Sequence, residues 1–551
     1  MTASNSTFTV VDLFCGCGGL SRGMERSGRF RSILGVDINA AAVETFTKNH
    51  GTDTDRPEAL CKDIQELSDD DVWSALRRKG IRKPRQLDCL VGGPPCEGFS
   101  RNKVYTGEAG EAVLPDRKEY SEEKYWQSAW KGTAGTSRPE RDIRAYHPFL
   151  DDPRNYLFRY FLNVAEELQP RIILIENVRQ MLQHRDGAIA KEIIRRLKRL
   201  GYVAEARILN TAEYGVPQLR QRAFFVCVRE DLFDGELPFP VVTHTSPSAE
   251  FLSSSTRLPG EKGFYVTVEE AIADLPASQP ESVGNPRASA SHYPKVPLSE
   301  FRRFVRSATQ TPANHVHRTP SEAVIAKLRA MRPGMKAHQM PKELQVAKYY
   351  YNAYGRLEWD KPSNTITKSF IYPGSGKFGH PDEDRVISYR EAARLQSFDD
   401  DFTFYAKSQE GISHMIGSAV PPLLGYKFAQ SFIRLLDSVD AKRRRPSRSR
   451  TSRSEATRCT WSRSSRSSVR PAWMDLLEVV EDGGPDGGVG LRNFASGKSS
   501  RPRGVGQGLD HRLQGAFPSP GRLPVFEGCR ACGTFGANSF GCFVCEAELA
   551  P

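Results

Sequence analysis

Of the 11 cysteines in the 551-residue chain, Cys96 alone stands on a rigid Pro-Pro turn at the end of an apolar run, in Gly92-Gly93-Pro94-Pro95-Cys96-Glu97-Gly98-Phe99-Ser100. A thiol displayed there can act as a nucleophile if its surroundings favour the thiolate, since a free cysteine of pKa ~8.5 is only a few per cent ionised at neutral pH. Cys89 and Cys227 lie inside apolar runs and read as small core hydrophobes. The run Arg171–Ile175 closes in Glu176-Asn177-Val178, which can bring a carboxyl into the same crevice. Gln218-Leu219-Arg220-Gln221-Arg222 leads two guanidinium groups into a further run. Planar arginines beside a thiol and a carboxyl suit an anionic substrate.

A second constellation suits a cofactor. Asp12-Leu13-Phe14-Cys15-Gly16-Cys17-Gly18-Gly19-Leu20 reads as a strand-to-helix turn whose glycines let a ligand approach the backbone. The dinucleotide pattern places a third glycine at position 21, where this chain has Ser21. Asp37 ends the next apolar run, where a carboxylate can bind ribose hydroxyls, and Asp63 follows at the end of a short third strand. Two acids around a glycine turn indicate an adenosine-containing cofactor. That turn by itself leaves a nicotinamide enzyme and a methyltransferase equally open; the thiol and Glu-Asn-Val clusters favour the methyltransferase.

The elements that must position these groups alternate. Strands are expected at Thr7–Phe14, Ser32–Ile38, Leu87–Val91, Arg171–Glu176, Val203–Leu209 and Ala223–Val228, and helices at Leu20–Ser27, Ala40–Asn49, Asn155–Leu168 and Ala188–Leu200. Apolar strands alternating with such helices imply an α/β doubly wound, mostly parallel sheet covered on both faces. We place this catalytic domain at residues 1–236. Residues 237–410, rich in Pro, Ser and Thr, read as a smaller irregular domain, and 411–440 as a helix that rejoins the first domain. From 441 the chain is Arg/Ser-rich and then Gly/Pro-rich, which predicts a disordered tail.

Composition excludes several classes. Only six cysteines precede residue 441, the first ten residues lack a signal-peptide pattern, and no apolar run is long enough for a membrane helix. A reducing, cytoplasmic setting is expected. The net charge of +12 is mostly a property of the tail, which holds 18 Lys and Arg against 10 Asp and Glu, while residues 1–440 hold 60 against 56. The total charge therefore does not show that the folded part binds nucleic acid. In the tail, Cys529, Cys532, Cys542 and Cys545 form two CxxC pairs, but the nine intervening residues are short for a zinc module and no metal is assigned.

The order DLFCGCGGL, GGPPCEGFS, ENV, QLRQR and IGSAVPPLLG resembles the DNA (cytosine-5)-methyltransferase family of bacterial restriction–modification type, across residues 7–436. The resemblance implies S-adenosyl-L-methionine as cofactor, a small target-recognition domain, and double-stranded DNA in a cleft. It implies that Cys96 attacks C6 of a flipped cytosine, that Glu176 contacts the base at N3 and its amine, and that Arg220 and Arg222 hold the nucleotide and its phosphates. Phe14, Gly16, Gly18, Asp37, Ile38, Asp63, Ile64, Pro95 and Ser418 match the cofactor pocket. Arg356 and Trp359–Thr367 match the element organising the small domain. A monomer and a functionally linked restriction endonuclease in a bacterial, nucleoid-associated setting complete the expectation.

The chain departs from the family at Glu97, commonly Gln, and at Ser418, commonly Asn, and it carries a long polar loop from Arg101 to Pro148. Sequence readers are sought among Arg302, Arg303, Arg306, Asn314 and Arg318. An RNA cytosine methyltransferase is the alternative enzyme, and an inactive binding protein of the same fold the alternative class. The extended 237–348 segment argues against the first, and intact Cys96 and Glu176 against the second.

Overall fold

The computed structural model describes residues 7–95, 104–106, 111–113, 156–183, 187–246, 263–280, 293–294, 297–306, 311–346 and 348–444, with backbone alone at 104–106, 111–113 and 348–350. Cys96, most of the 101–148 loop and the whole tail from 445, its four cysteines included, lie outside the described residues.

Seven strands form the central sheet: β1 (Phe8–Leu13), β2 (Phe30–Asp37), β3 (Glu58–Cys61), β4 (Cys89–Gly92), β5 (Ile172–Val178), β6 (Tyr202–Asn210) and β7 (Gln221–Arg229). Their order across the sheet is β3-β2-β1-β4-β5-β7-β6. The first five pair in parallel, and β7 runs antiparallel to both β5 and β6. Connecting helices include α1 (Gly19–Glu25), α2 (Ala40–Asn49), α3 (Asp69–Arg78), α4 (Phe158–Leu168) and α5 (Ala188–Arg199).

The strands are apolar on both sides because both sides are covered. On one face Leu13, Leu90, Ile173 and Ile175 pack with Trp73 of α3, Phe161 of α4 and Ile193 of α5. On the other, Val10, Val91, Ile172 and Leu174 pack with Leu20 and Met24 of α1 and with Phe428 and Phe432. The last two belong to a long C-terminal helix.

Six further helices follow: α6 (Val268–Ile272), α7 (Glu300–Val305), α8 (Glu322–Ala330), α9 (Tyr389–Leu395), α10 (Gln409–Ser418) and α11 (Pro422–Arg444). Glycines let α11 lie against α1: a Cβ at Gly23 would strike the carbonyl oxygen of Pro422, and one at Gly425 would come 2.6 Å from the Leu20 oxygen. A second core joins Val268, Ile272, Phe301 and Val305 to Leu395, Phe398, Phe402, Ile412 and Ile416, and takes in Cys17 and Ala42 from the first sheet's connections. Residues 389–416 are thus packed onto the glycine turn that follows β1. Helix α3, absent from the sequence expectation, begins at a capping box in which Ser68 and Asp71 satisfy each other's backbone N–H. Among the described residues, no helix is long and apolar enough to cross a membrane.

Candidate active site

The chain leaves β1 outward through β2 and β3, then returns to the other side of β1 as β4. The carboxyl ends of β1 and β4 therefore flank a topological switch point, where open α/β sheets form their crevice. The glycine turn follows β1, and Gly93-Pro94-Pro95 follows β4.

The turn is held tightly. Phe14, Gly16 and Gly18 have φ of 58°, 52° and 90°. A Cβ at Gly18 would collide with Nε2 of His50 and with the Phe46 ring. The Gly16 N–H donates to Asp37 Oδ2 at 2.8 Å and the Asn39 N–H to Asp37 Oδ1 at 2.8 Å. Burial pushes the Asp37 carboxyl above its usual range, partly offset by those N–H groups. Ile38 beside it is apolar and 68% exposed. A glycine surface open to backbone approach, an anchored carboxylate and an unpacked aliphatic side chain fit an adenosine-bearing group. Asp63 accepts from the Gln65 N–H at 2.9 Å, Ile64 is buried, and Pro95 is half-buried. Ser418, exposed at the end of α10, donates from its hydroxyl to the His414 carbonyl at 2.6 Å. Its side chain therefore serves its own helix in this structure.

The reactive side of the crevice is built from β4, β5 and β7. Phe224 pairs directly with Glu176, so Arg222, two residues earlier, lies diagonally on the same face. Arg222 Nε stands 3.2 Å from Glu176 Oε1. A Cβ at Gly93 would come 3.1 Å from Glu176 Oε2, which only glycine allows at ease. On the opposite face Asn177 donates to the Pro94 carbonyl at 3.0 Å, fixing the turn that enters position 96. Cys15, Cys17, Cys89 and Cys227 are buried, and burial raises each of their thiol pKa values. Burial therefore disfavours the thiolate form of all four.

Arg220 does not join Arg222 at the carboxylate. It is 2% exposed and donates from Nη1 to the carbonyls of Ile366 (3.3 Å) and Gly417 (3.1 Å). Burial, then Arg222, depress its pKa to about 9. Those carbonyls belong to the 356–367 motif and the end of α10, so Arg220 ties both to the sheet. Neighbouring contacts complete the junction: Ser363-Asn364 pairs in parallel with Gln218-Leu219, and Gln218 bonds the Ile366 N–H, the Leu395 carbonyl and Gln396.

Each of the five suggested sequence readers has a partner within the chain, although Arg303 remains exposed. Arg302 and Arg303 donate to backbone carbonyls, Arg306 lies over the Tyr293 ring, and Arg318 over Tyr372. Asn314 is buried and clamps the backbone of Phe404. Sequence reasoning also missed two buried pairs behind the glycine turn. Ser21 bonds Asp12, and His50 Nδ1 stands 2.9 Å from Glu25 Oε2. The serine at the expected third-glycine position was the available signal for the first; a histidine closing a helix gives none for the second.

Comparison with known proteins accords with this geometry. The sequence profile of the C-5 cytosine-specific DNA methylases matches residues 8–111 and 146–434. The chain is 28% identical to the type II methyltransferase M1.HphI of Haemophilus parahaemolyticus over 429 residues, covering 78% of this chain and 87% of that protein. It is 29% identical to the type II methyltransferase M.AgeI of Thalassovita gelatinovora over 492 residues, covering 77% and 98%. A crystal structure of a prophage-encoded DNA modification methyltransferase from E. coli superposes with a TM-score of 0.52 at 20% identity, over 78% of this chain and 100% of that one, which supports the fold. The chain belongs to the family of C-5 cytosine-specific DNA methylases, the DNA (cytosine-5)-methyltransferases.

Proposed function

We propose that the protein methylates C5 of a cytosine flipped out of a specific double-stranded DNA sequence, with Cys96 as nucleophile and S-adenosyl-L-methionine as methyl donor. The observation that carries the reading is the Glu176–Arg222 pair beside Gly93 and Pro94, at the switch point that also holds the glycine turn. Stacking covers the ring face that a thiolate must approach at C6, so the cytosine must leave the duplex, at a cost of a few kcal/mol recovered by pocket contacts.

In this reading the Cys96 thiolate bonds to C6. A proton delivered through Glu176 to N3, with the exocyclic amine donating to the carboxyl, neutralises the electron pair displaced by attack at C6 and leaves C5 as a nucleophilic enamine carbon; N3 returns that proton when the adduct collapses. Arg222 fixes the carboxylate's orientation and faces the anionic nucleotide. Arg220 is a positioning residue that holds the Ile366 and Gly417 carbonyls behind them. Phe14, Gly16, Gly18, Asp37, Ile38, Asp63, Ile64 and Pro95 would hold S-adenosyl-L-methionine, which when bound would supply C5 with an electrophilic methyl group whose S–CH3 bond breaks to leave a neutral thioether. A base then removes the C5 proton, the C5–C6 double bond reforms, and the thiolate leaves. Restriction–modification pairing with an endonuclease is the biological setting, and a monomer suffices for the site described.

Cys96→Ala tests the reading: methyl transfer should disappear while binding of S-adenosyl-L-methionine persists, and unchanged methylation overturns the assignment. DNA carrying 5-fluorocytosine at the target should trap a denaturation-resistant adduct, because fluorine cannot leave as the proton does.

A further inference from the structure

We infer that the solvent face of α5, together with the loop before β4, is a second DNA-binding surface that holds duplex lying outside the catalytic crevice. The choice of DNA over another polyanion rests on the reading above; the geometry of the surface does not.

Helix α5 carries Lys191, Arg195, Arg196, Lys198 and Arg199 against the single acid Glu192. Ile189, Ala190, Ile193 and Leu197 are buried against the sheet. At 3.6 residues per turn, Lys191, Arg195, Lys198 and Arg199 fall within an arc of about 100° on the opposite side, along about 12 Å of helix. All four are exposed, and among the described residues their side chains make no ion pair or hydrogen bond. The other two charges are engaged with α4: Glu192 pairs with Arg159 at 2.8 Å, and Arg196 bonds Asn163 at 2.5 Å and Glu166 at 3.3 Å.

This stripe is charged against the helix's own electrostatics. The helix dipole favours cations in the last turn, which suits Lys198 and Arg199. It opposes Lys191, which closes a first turn holding no acid. Lys191 and Arg195, and again Arg195 and Arg199, are like charges four residues apart, a destabilising spacing on a helix surface. A partner with closely spaced negative charge reverses both effects. Duplex DNA, with one charge per about 1.7 Å of axis, presents about seven along the length of the stripe. None of the exposed large apolar side chains among the described residues belongs to α3, α4 or α5. A protein interface needs an apolar centre and a membrane-binding helix an apolar face, whereas phosphate contacts need only cations on a firm support.

The surface continues past the helix. β5 and β6 are both antiparallel to β7, so α5, which joins them, runs back along the sheet and ends at its amino-terminal edge. The loop between α3 and β4 lies at that edge too, because β4 is parallel to β5. Arg82 and Lys83 in this loop are exposed and without a side-chain partner among the described residues, and their N–H groups are held by Gln86 Oε1 at 2.7 and 3.1 Å. Arg85 docks the same loop on the end of α4 through the Leu168 carbonyl (2.9 Å) and the Gln169 side chain (2.8 Å). Helices α3, α4 and α5 pack on one face of the sheet. The crevice lies at the carboxyl ends of the strands, and β5 is seven residues, about 20 Å, long. Duplex seated at Glu176 therefore does not run along the far part of the stripe, and a separate segment fills it.

The test uses the full-length protein with Lys191→Ala, Arg195→Ala and Lys198→Ala combined, and a second variant with the same three positions changed to Glu. Binding to plasmid DNA is measured without methyl donor over a range of salt. The alanine variant should bind the plasmid about tenfold more weakly and lower the slope of log affinity against log salt by about 2 to 3, with an unchanged melting temperature; the glutamate variant should bind more weakly still. A duplex of about 20 base pairs bearing the site that the wild type methylates, defined by bisulfite sequencing in a methylation-free host, should bind all three proteins within about twofold and be methylated at the same single-turnover rate. Unchanged plasmid binding would overturn the inference, and so would an equal loss on the short duplex, which would assign these cations to the crevice. Loss of binding to phosphatidylglycerol vesicles with plasmid binding intact would make the surface a lipid contact instead. Plasmid binding requires no methyl transfer, so a wild type that methylates nothing yet shows this dependence would overturn the chemical reading and leave the second surface standing.

Discussion

The Ser21 hydroxyl donates a 2.5 Å hydrogen bond to the buried carboxyl of Asp12, linking the last turn of β1 to the first turn of α1 beneath the cofactor turn. Burial is the main cause that raises the Asp12 pKa to about 7, with Asp37 and Glu25 adding to it and Ser21 opposing it. The unfolded carboxyl ionises near 3.8, so between those values the unfolded chain releases a proton that the folded one retains. This group therefore makes stability fall as pH rises through that window, with the full penalty above about 7. Asp12→Asn keeps an acceptor for Ser21 and removes the titration. Denaturation across pH 4–8 should show a flatter profile, with the variant gaining on the wild type as pH rises; parallel curves would exclude the assignment.

Gly18 and Gly28 separate backbone strain from collision. Both have positive φ, 90° and 73°, but a Cβ at Gly28 meets nothing within 4 Å, whereas one at Gly18 meets His50. Gly28→Ala should cost about 1 kcal/mol through strain alone. Gly18→Ala should cost more and should weaken S-adenosyl-L-methionine binding at least tenfold, read by calorimetry. Equal effects of the two substitutions would remove His50 from the wall of the turn.

Glu176→Gln preserves size and hydrogen-bonding reach but loses the charge facing Arg222. If Glu176 assists proton movement at N3, methyl transfer should fall by roughly 10²–10⁴-fold with little change in cofactor affinity. Rapid-quench single-turnover rates distinguish this from slowed product release.

Arg394 supports the second core. Fully buried, it bonds Asp400 at 2.7 and 2.6 Å, Asp274 at 2.9 Å and the Ala271 carbonyl at 2.9 Å. Arg394→Ala removes the main partner of two buried acids, leaving Asp400 with Tyr293 and Asp274 with Arg302 and Arg306, and should destabilise by about 3 kcal/mol, with a melting-temperature loss of a few degrees. Adding Asp400→Asn should recover part of that loss. Full additivity of the two substitutions would contradict the coupling.

Much of the sheet was readable because its strands are apolar throughout and its chemistry sits at their ends. The ends of β1, β4 and β5 were marked by glycine, proline and acidic residues that a buried strand cannot carry. What stayed hidden depended on partners far away in sequence. Nothing near Arg220 announces that Ile366 and Gly417 will take its protons, and Asn314 looks like an exposed polar residue until Phe404 is seen to lie against it. In the same way, nothing near Arg302 announces that its guanidinium will donate to the carbonyls of Glu269 and Glu270 in α6.

The contact between α1 and α11 also bears on how the chain is made. Gly23 emerges early from the ribosome, yet the Pro422 backbone it fits against is synthesised some 400 residues later. Contacts this distant slow folding, because so long a loop must close before they are gained. Until α11 has been translated, α1 covers its face of the sheet without the Phe428 and Phe432 side chains beside it. A truncated product lacking α11 would be a target for chaperones and proteases before it could modify any chromosome.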